Sequence, residues 1–552
     1  MSYKRLLAER VVSEQLPRQI PRIALALVLA AYLLPLAVSV PLMEDDEGLH
    51  AAIAVEMVER GDWTVPRLMG EPFLDKPVLY FWMQAASVAA FGPSEFAVRL
   101  PGTLMALLGI AAIGWLSRAM FGATVGAWAA LCYATMLLPY AVSLAPLHDM
   151  VMVPLGTLAI GAFWHARHAA SSGALARWTL VAGVSLGLSV LGKGLTGVGL
   201  VGVGTAAWLL WSRALSWRLI IAGAVALAIG AVIAWPWYAA MERAVPGYLH
   251  YYFMDRHVGG LTAGTQRHAG RPFWYYLPIL VVGAWPWVPI VMHRVRRPAS
   301  DGERLLWCWF VADVVVLSLA TSKLATYVLP ALPALAALAA VALAQSQPTG
   351  DDARGKYVLA RVAAGLTAIL PLVALFGLRV LARWPVPPVS SVVVAAVPLA
   401  VFWLTRSRLG RVAWGPAPLL LVTASTLLVV ALVVRPFLAD RLTARNLAAR
   451  FNAAGRLPPK VWVVDEGIGS LVFYLRQDLR RALTVKQIEH VSRFSLLDRQ
   501  SPPGAVMAVA SDRMPGVANV LDLEGVARPG EGTFLVLPLT AVHPRAASPV
   551  RD

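Results

Sequence analysis

Between Leu100 and Ala240 the chain carries one acidic residue, Asp149, and one lysine, Lys193. An ionisable group at membrane depth is costly, so each reads as a candidate for function. Asp46, Glu47, Asp75, Lys76, His148, His257, His268 and Lys323 lie at similar boundaries between apolar and polar sequence. Glu44-Asp45-Asp46-Glu47 crowds four acids together, at a cost in repulsion unless a cation, a metal or a substrate compensates. Asp45 or Asp46 could instead cap the amphipathic helix expected over Ala51 to Arg60. On an extended segment Asp46 and Glu47 would point to opposite sides and so serve different roles. In Asp75-Lys76-Pro77 an adjacent acid and base ahead of a rigid proline could hold an anion near a carboxylate. Asp75, His257 and His268 together could bind a divalent cation, although their spacing matches no fixed metal motif.

The elements that must position these residues follow from composition. Of 552 residues, 58% are apolar and 14% charged. A soluble domain carries about a quarter of its residues charged, so a single globular enzyme in water is excluded and a multi-pass membrane protein is indicated. Lys and Arg outnumber Asp and Glu by 48 to 31, but the surplus is scattered between apolar runs rather than gathered in a stripe, which argues against a nucleic-acid partner. Cys132 and Cys308 each sit inside an apolar run, so no disulfide framework or thiolate metal site is expected.

Ile23 to Leu42 is 20 uncharged residues, enough to cross the bilayer core as a retained first helix. Further candidate spans lie near 98–118, 122–140, 148–165, 176–191, 194–211, 217–237, 273–293, 303–320, 325–345, 357–379, 389–405 and 414–435. That makes about 13 transmembrane helices. Lys4, Arg5, Arg10, Arg18 and Arg22 put residues 1–22 in the cytoplasm, and alternate counting puts Arg167/Arg177, Arg213/Arg218, Arg294/Arg296/Arg297/Arg304, Arg354/Lys356 and Arg406/Arg408/Arg411 there too. The membrane domain is then 23–435, with the polar loops 43–97 and 238–272 and the tail 436–552 on the far side. Trp235, Trp237, Trp285 and Trp287 near span ends read as interfacial anchors. In the tail, the β-rich runs Val461–Val464, Ala505–Val509 and Phe534–Leu537 alternate with helix-like stretches, as in a small soluble α/β domain. Asp465-Glu466-Gly467 after the first of these reads as a turn.

The order of these elements resembles the polyprenyl-phosphate-sugar glycosyltransferases of the GT-C fold. After the first span come Asp46-Glu47, Gly61-Asp62-Trp63-Thr64-Val65-Pro66, Asp75-Lys76-Pro77 and Tyr80-Phe81-Trp82. Then follow Leu147-His148-Asp149, Lys193-Gly194, His250-Tyr251-Tyr252-Phe253, His257, His268 before Pro272-Phe273-Trp274-Tyr275-Tyr276, and Ser322-Lys323-Leu324-Ala325-Thr326-Tyr327-Val328-Leu329-Pro330. The lipid A aminoarabinose transferases, which are similar to the protein O-mannosyltransferases, are the nearest branch. The resemblance implies about 13 spans with a small C-terminal soluble α/β domain in the periplasm. It also implies catalytic roles for Asp46, Glu47, Lys76 and Asp149. The chain departs from the pattern in two places: Gly48-Leu49-His50 stands where the family continues x-Arg-Tyr, and Arg256-His257-Val258-Gly259-Gly260-Leu261 where it has Glu-His-x-x-Arg-Phe. Each departure removes an arginine that could grip phosphate.

The likeness implies an undecaprenyl-phosphate sugar as donor, presented at the periplasmic face of the bacterial inner membrane. Cleaving its sugar–phosphate bond develops negative charge on the leaving phosphate, for which Lys76, Lys193, Arg256, Lys323 and Tyr327 are the candidate partners. A lipid A phosphate is already a nucleophile and needs positioning only, whereas a hydroxyl acceptor needs a carboxylate as general base. The expectation is therefore transfer of 4-amino-4-deoxy-L-arabinose or a related amino sugar to lipid A by a monomer that requires no cofactor, with a divalent metal as an option. Protein O-glycosylation and transport of a lipid-linked sugar are the alternatives. A transporter would be expected to show internal repeats and broken midplane helices, and neither is evident in the sequence.

Overall fold

The structure, a computed structural model, describes residues 22–44, 46–259, 270–292, 298–344, 351–381, 388–406, 416–496, 498–511, 513–522 and 534–544. Asp45 and His268 lie outside these residues. The chain divides into two compact units: residues 1–37, 74–80 and 99–434 form the first, and 38–73, 81–98 and 435–552 the second.

Among its described residues the first unit is built of helices and the turns between them. Among the described residues of the chain, seven helices are long and apolar enough to cross a bilayer, including Asp149–Arg167, Ser172–Lys193, Trp217–Ala244 and Ala325–Ala344. Ala123–Ala134 and Leu137–Ser143, bent by 66° at their junction, make an eighth if taken as one span. The sequence expectation of about 13 also takes in shorter or more polar helices such as Leu195–Trp211 and Asp301–Leu319. This is a multi-pass helical fold.

Two of its helices approach closely because the sequence supplies small residues at the contact. On Ser172–Lys193, Gly183 and Gly187 are four apart, and they face Ala226 and Gly230 on Trp217–Ala244. A Cβ at Gly187 would lie 2.8 Å from the Gly230 carbonyl oxygen, and one at Gly183 would lie 2.8 Å from that of Ala226. Helices in lipid associate through such small-residue pairs, since burial of apolar surface there gains little.

The tryptophans depart from expectation. Trp237 and Trp287 are buried and Trp285 is half-buried, while Trp235 alone of the four has the exposure of an interfacial anchor, at 58%. The expected span 273–293 is broken into Tyr276–Gly283 and Val288–Met292, and at the break the indoles of Trp285 and Trp287 donate to the hydroxyls of Thr367 and Thr135, each at 2.9 Å. An indole N–H inside a bundle needs a partner, and threonine supplies one without adding charge.

In the second unit the helix expected from Ala51 begins at Asp46 and runs to Arg60. Asp46 and Glu47 are therefore its first turn, where negative charge complements the helix dipole. They are about 100° apart around the axis rather than on opposite sides of a strand, and Asp46 is exposed while Glu47 is buried. The strands Ile488–Val491, Val461–Val464 and Val506–Ala510 pair in parallel in that order, and Phe534–Pro538 adds antiparallel to the last. Apolar side chains cover both faces of this sheet, with Val461, Val463 and Ile488 on one and Trp462, Val464 and Met507 on the other. Parallel strands require such two-sided cover. Asp465 and Glu466 lie in the bend after Val461–Val464, paired with Arg493 and, at 2.9 Å, with Arg513.

Candidate active site

Asp149 is the first residue of the helix Asp149–Arg167 and Lys193 the last of Ser172–Lys193, and the two helices pack side by side. A carboxylate at a helix N-terminus and an ammonium at a C-terminus each sit at the end their charge favours. The Lys193 ammonium donates to Asp149 Oδ1, and the side chains are only 10% and 11% exposed. Thr326 and Lys76 are near enough to act on the Asp149 carboxylate. Lys193 Nζ stands 4.3 Å over the ring of Tyr327, which lies in the turn Ala325–Ala331. The ammonium is thereby held between a carboxylate and an aromatic face.

A second group surrounds Asp75. Its Oδ1 accepts a hydrogen bond from the Tyr251 hydroxyl at 2.6 Å, and its Oδ2 pairs with Arg256 at 3.3 Å. Burial and the Asp75 carboxylate push the Tyr251 phenol up to about 12, so it stays a donor at any physiological pH. Tyr251 and Arg256 belong to the π-helical turns Tyr251–Val258, which also carry His257. His257 Nδ1 faces the Tyr252 carbonyl at 2.8 Å, and the Leu195 N–H donates to Nε2 at 3.3 Å. Nε2 is thus the acceptor, and the proton sits on Nδ1 of a neutral ring. Burial pushes the His257 pKa down, as do the charges of Arg256 and Lys76.

Among the expected phosphate partners, Lys323 is placed differently. It is buried, and its ammonium donates to the backbone carbonyls of Ala320 and, at 3.3 Å, Arg271. It closes the end of the helix Asp301–Leu319 in the manner of a cationic cap. Two members of the expected divalent-cation set, Asp75 and His257, are among the described residues. His268 is outside the described residues, Asp75 and His257 bond other partners, and among the described residues no group of three or more His, Cys, Asp or Glu is arranged to hold a metal.

Asp46 and Glu47 belong to the second unit. Glu47 pairs there with Arg435 at 3.3 Å and accepts from the Met43 N–H at 3.3 Å. Glu44 accepts from the N–H groups of Gly469 and Ser470 at 3.2 and 2.6 Å. Two of the four crowded acids, Glu44 and Glu47, thus have separate partners. Sequence reasoning passed over Arg435 and Tyr251 as site residues. Arg435 was signalled as the one charged residue of the apolar run Ala417–Ala439. Tyr251 stands within His250-Tyr251-Tyr252-Phe253, but nothing in sequence ties it to Asp75, 176 positions away.

The family model described as dolichyl-phosphate-mannose-protein mannosyltransferase matches residues 75–239, which contain Asp75, Lys76, Asp149 and Lys193. The chain is 31% identical over 360 residues to the undecaprenyl phosphate-alpha-4-amino-4-deoxy-L-arabinose arabinosyl transferase of Erwinia tasmaniensis, and 30% identical over 360 residues to that of Aeromonas salmonicida. Each match covers 64% of this chain and 64% of the relative. The crystal structure of ArnT from Cupriavidus metallidurans bound to undecaprenyl phosphate superposes with a TM-score of 0.71 at 22% identity, over 93% of this chain and 97% of that one. The apo form of the same protein gives 0.71 at 23% identity. The fold is that of the Cupriavidus metallidurans ArnT crystal structures. In sequence the chain is similar to the two arabinosyl transferases over about two thirds of its length, and in fold to ArnT.

Proposed function

We propose that this chain is a glycosyltransferase that moves a single sugar, 4-amino-4-deoxy-L-arabinose or a related amino sugar, from undecaprenyl phosphate to a lipid A phosphate. The reading places the N-terminus in the cytoplasm, and the reaction and the C-terminal α/β domain at the periplasmic face of the inner membrane. It takes the chain to act as a monomer with about 13 spans. The observation that carries it is the Lys193–Asp149 pair, held over Tyr327 with Lys76 within electrostatic reach.

Cleavage of the sugar–phosphate bond leaves a second charge on the lipid phosphate, and a group that binds that charge more tightly as it grows lowers the barrier. Lys76, Lys193 and Arg256 supply cations for this work, and each has an acid that fixes it beforehand or lies close by: Asp149 for Lys193 and Lys76, Asp75 for Arg256. The acceptor phosphate is ionised at neutral pH and needs no base. Asp149 then serves to orient Lys193 rather than to take a proton.

The family description matched over residues 75–239 names a protein mannosyltransferase, which favours a hydroxyl acceptor as the second reading. Mass spectrometry of lipid A and of glycoproteins from cells with and without the chain separates the two. A sugar increment on lipid A that requires the chain supports the phosphate acceptor. An increment confined to proteins supports the hydroxyl acceptor.

A further inference from the structure

One residue separates the helix Ser172–Lys193 from Leu195–Trp211: Gly194, with φ at +75°. Any other residue would be strained in that conformation. Space is restricted as well, because a Cβ on Gly194 would stand 2.5 Å from His257 Nε2 and 2.6 Å from the Tyr252 hydroxyl. The His257 ring occupies the notch that the glycine leaves. Both nitrogens are engaged there, Nε2 by the Leu195 N–H and Nδ1 by the Tyr252 carbonyl, and the ring meets Tyr252 edge-on at 4.8 Å.

The neighbours of this contact give it consequence. Next to Gly194 is Lys193, tied to Asp149, and next to His257 is Arg256, tied to Asp75. The His257 ring, beside the Tyr252 hydroxyl, therefore joins the two segments that carry these cations. We propose that His257, seated in the Gly194 notch, is a positioning residue: it fixes Arg256 relative to Lys193 so that one lipid phosphate engages both. This rests on the reading of those cations as the donor-phosphate site. It also replaces the metal role expected for His257, because Nε2 already accepts a hydrogen bond and Nδ1 carries the proton, leaving neither lone pair for a cation.

The test is binding of undecaprenyl phosphate to the purified full-length chain in lipid nanodiscs, with folding followed by thermal melting. His257→Ala should weaken binding by about 10- to 100-fold, as misplacement of a positioned group does. His257→Gln, which keeps an acceptor for the Leu195 N–H, should recover most of the loss. Gly194→Ala should also weaken binding, and Gly194→Ala/His257→Ala should be no worse than the poorer single variant, because both disrupt one contact. Wild-type binding should be unchanged by EDTA. Binding by His257→Ala within two-fold of wild type would overturn the inference, as would losses that multiply in the double variant or an EDTA-induced loss restored by zinc. Should His257→Ala fail to fold, Gly194→Ala and His257→Gln make the same test: both binding as wild type does would overturn it. If the wild-type chain binds no undecaprenyl phosphate, the donor reading itself falls and takes this inference with it.

Discussion

The ammonium of Lys193 donates to Asp149 while standing 4.3 Å above the ring of Tyr327. Charge, hydrogen bonding and ring face thus converge on one nitrogen that is held in place before any substrate arrives. Lys193→Met should reduce transfer by at least about a hundred-fold, the scale of losing one preorganised charge-stabilising group. Tyr327→Phe keeps the ring face and should retain most activity, whereas Tyr327→Leu should lose about ten-fold or more. Steady-state transfer rates on the purified variants measure this, and equal rates for Phe and Leu at 327 would remove the ring from the account.

Lys76→Met should abolish transfer and leave expression and the melting temperature near wild type. Lys76 is half-buried, and a lysine outside a buried ion pair adds little to folding. A variant with wild-type turnover would place the leaving phosphate elsewhere.

The two leading carboxylates should separate by phenotype. Glu47 is buried with Arg435, so Glu47→Gln or Arg435→Met leaves a buried charge unpaired and should cost about 3–5 kcal/mol of stability. Asp46 is exposed in the helix's first turn, and Asp46→Asn should cost no more than about 1 kcal/mol. If the role that family resemblance gives Asp46 carries over, Asp46→Asn removes transfer without unfolding the chain. Thermal melts alongside transfer assays distinguish the two, and a stable Glu47→Gln would contradict the buried pair.

Orientation is testable directly. Single cysteines at Thr64 and Ser492 should react with an impermeant thiol reagent in intact spheroplasts, since the arginine pattern puts both outside. Protection of both until lysis would invert the topology.

Much of this was legible in the sequence because membrane depth makes charge conspicuous. Asp149 and Lys193 are the only acid and lysine across a long apolar stretch, and the structure pairs them. The strands Val461–Val464, Val506–Ala510 and Phe534–Pro538 were legible because short apolar runs bounded by turn residues have few other fates, whereas Ile488–Val491, interrupted by Glu489 and His490, was not. What sequence could not give was pairing over distance. Glu47 meets Arg435 across 388 positions, and the Gly194 notch for His257 depends on where two helices end. The tryptophans misled because interfacial enrichment is a property of exposed rings, while Trp237 and Trp287 are buried. The Ala51 start was late because Asp46 and Glu47 were read as an extended site segment rather than as a helix's first turn.

The central claim is tested most directly by reconstitution. Purified chain in proteoliposomes, supplied with undecaprenyl-phosphate aminoarabinose and lipid A, should add one aminoarabinose mass to a lipid A phosphate, and Lys193→Met should abolish the increment. An unmodified lipid A, with the donor intact and the chain folded, would contradict the account.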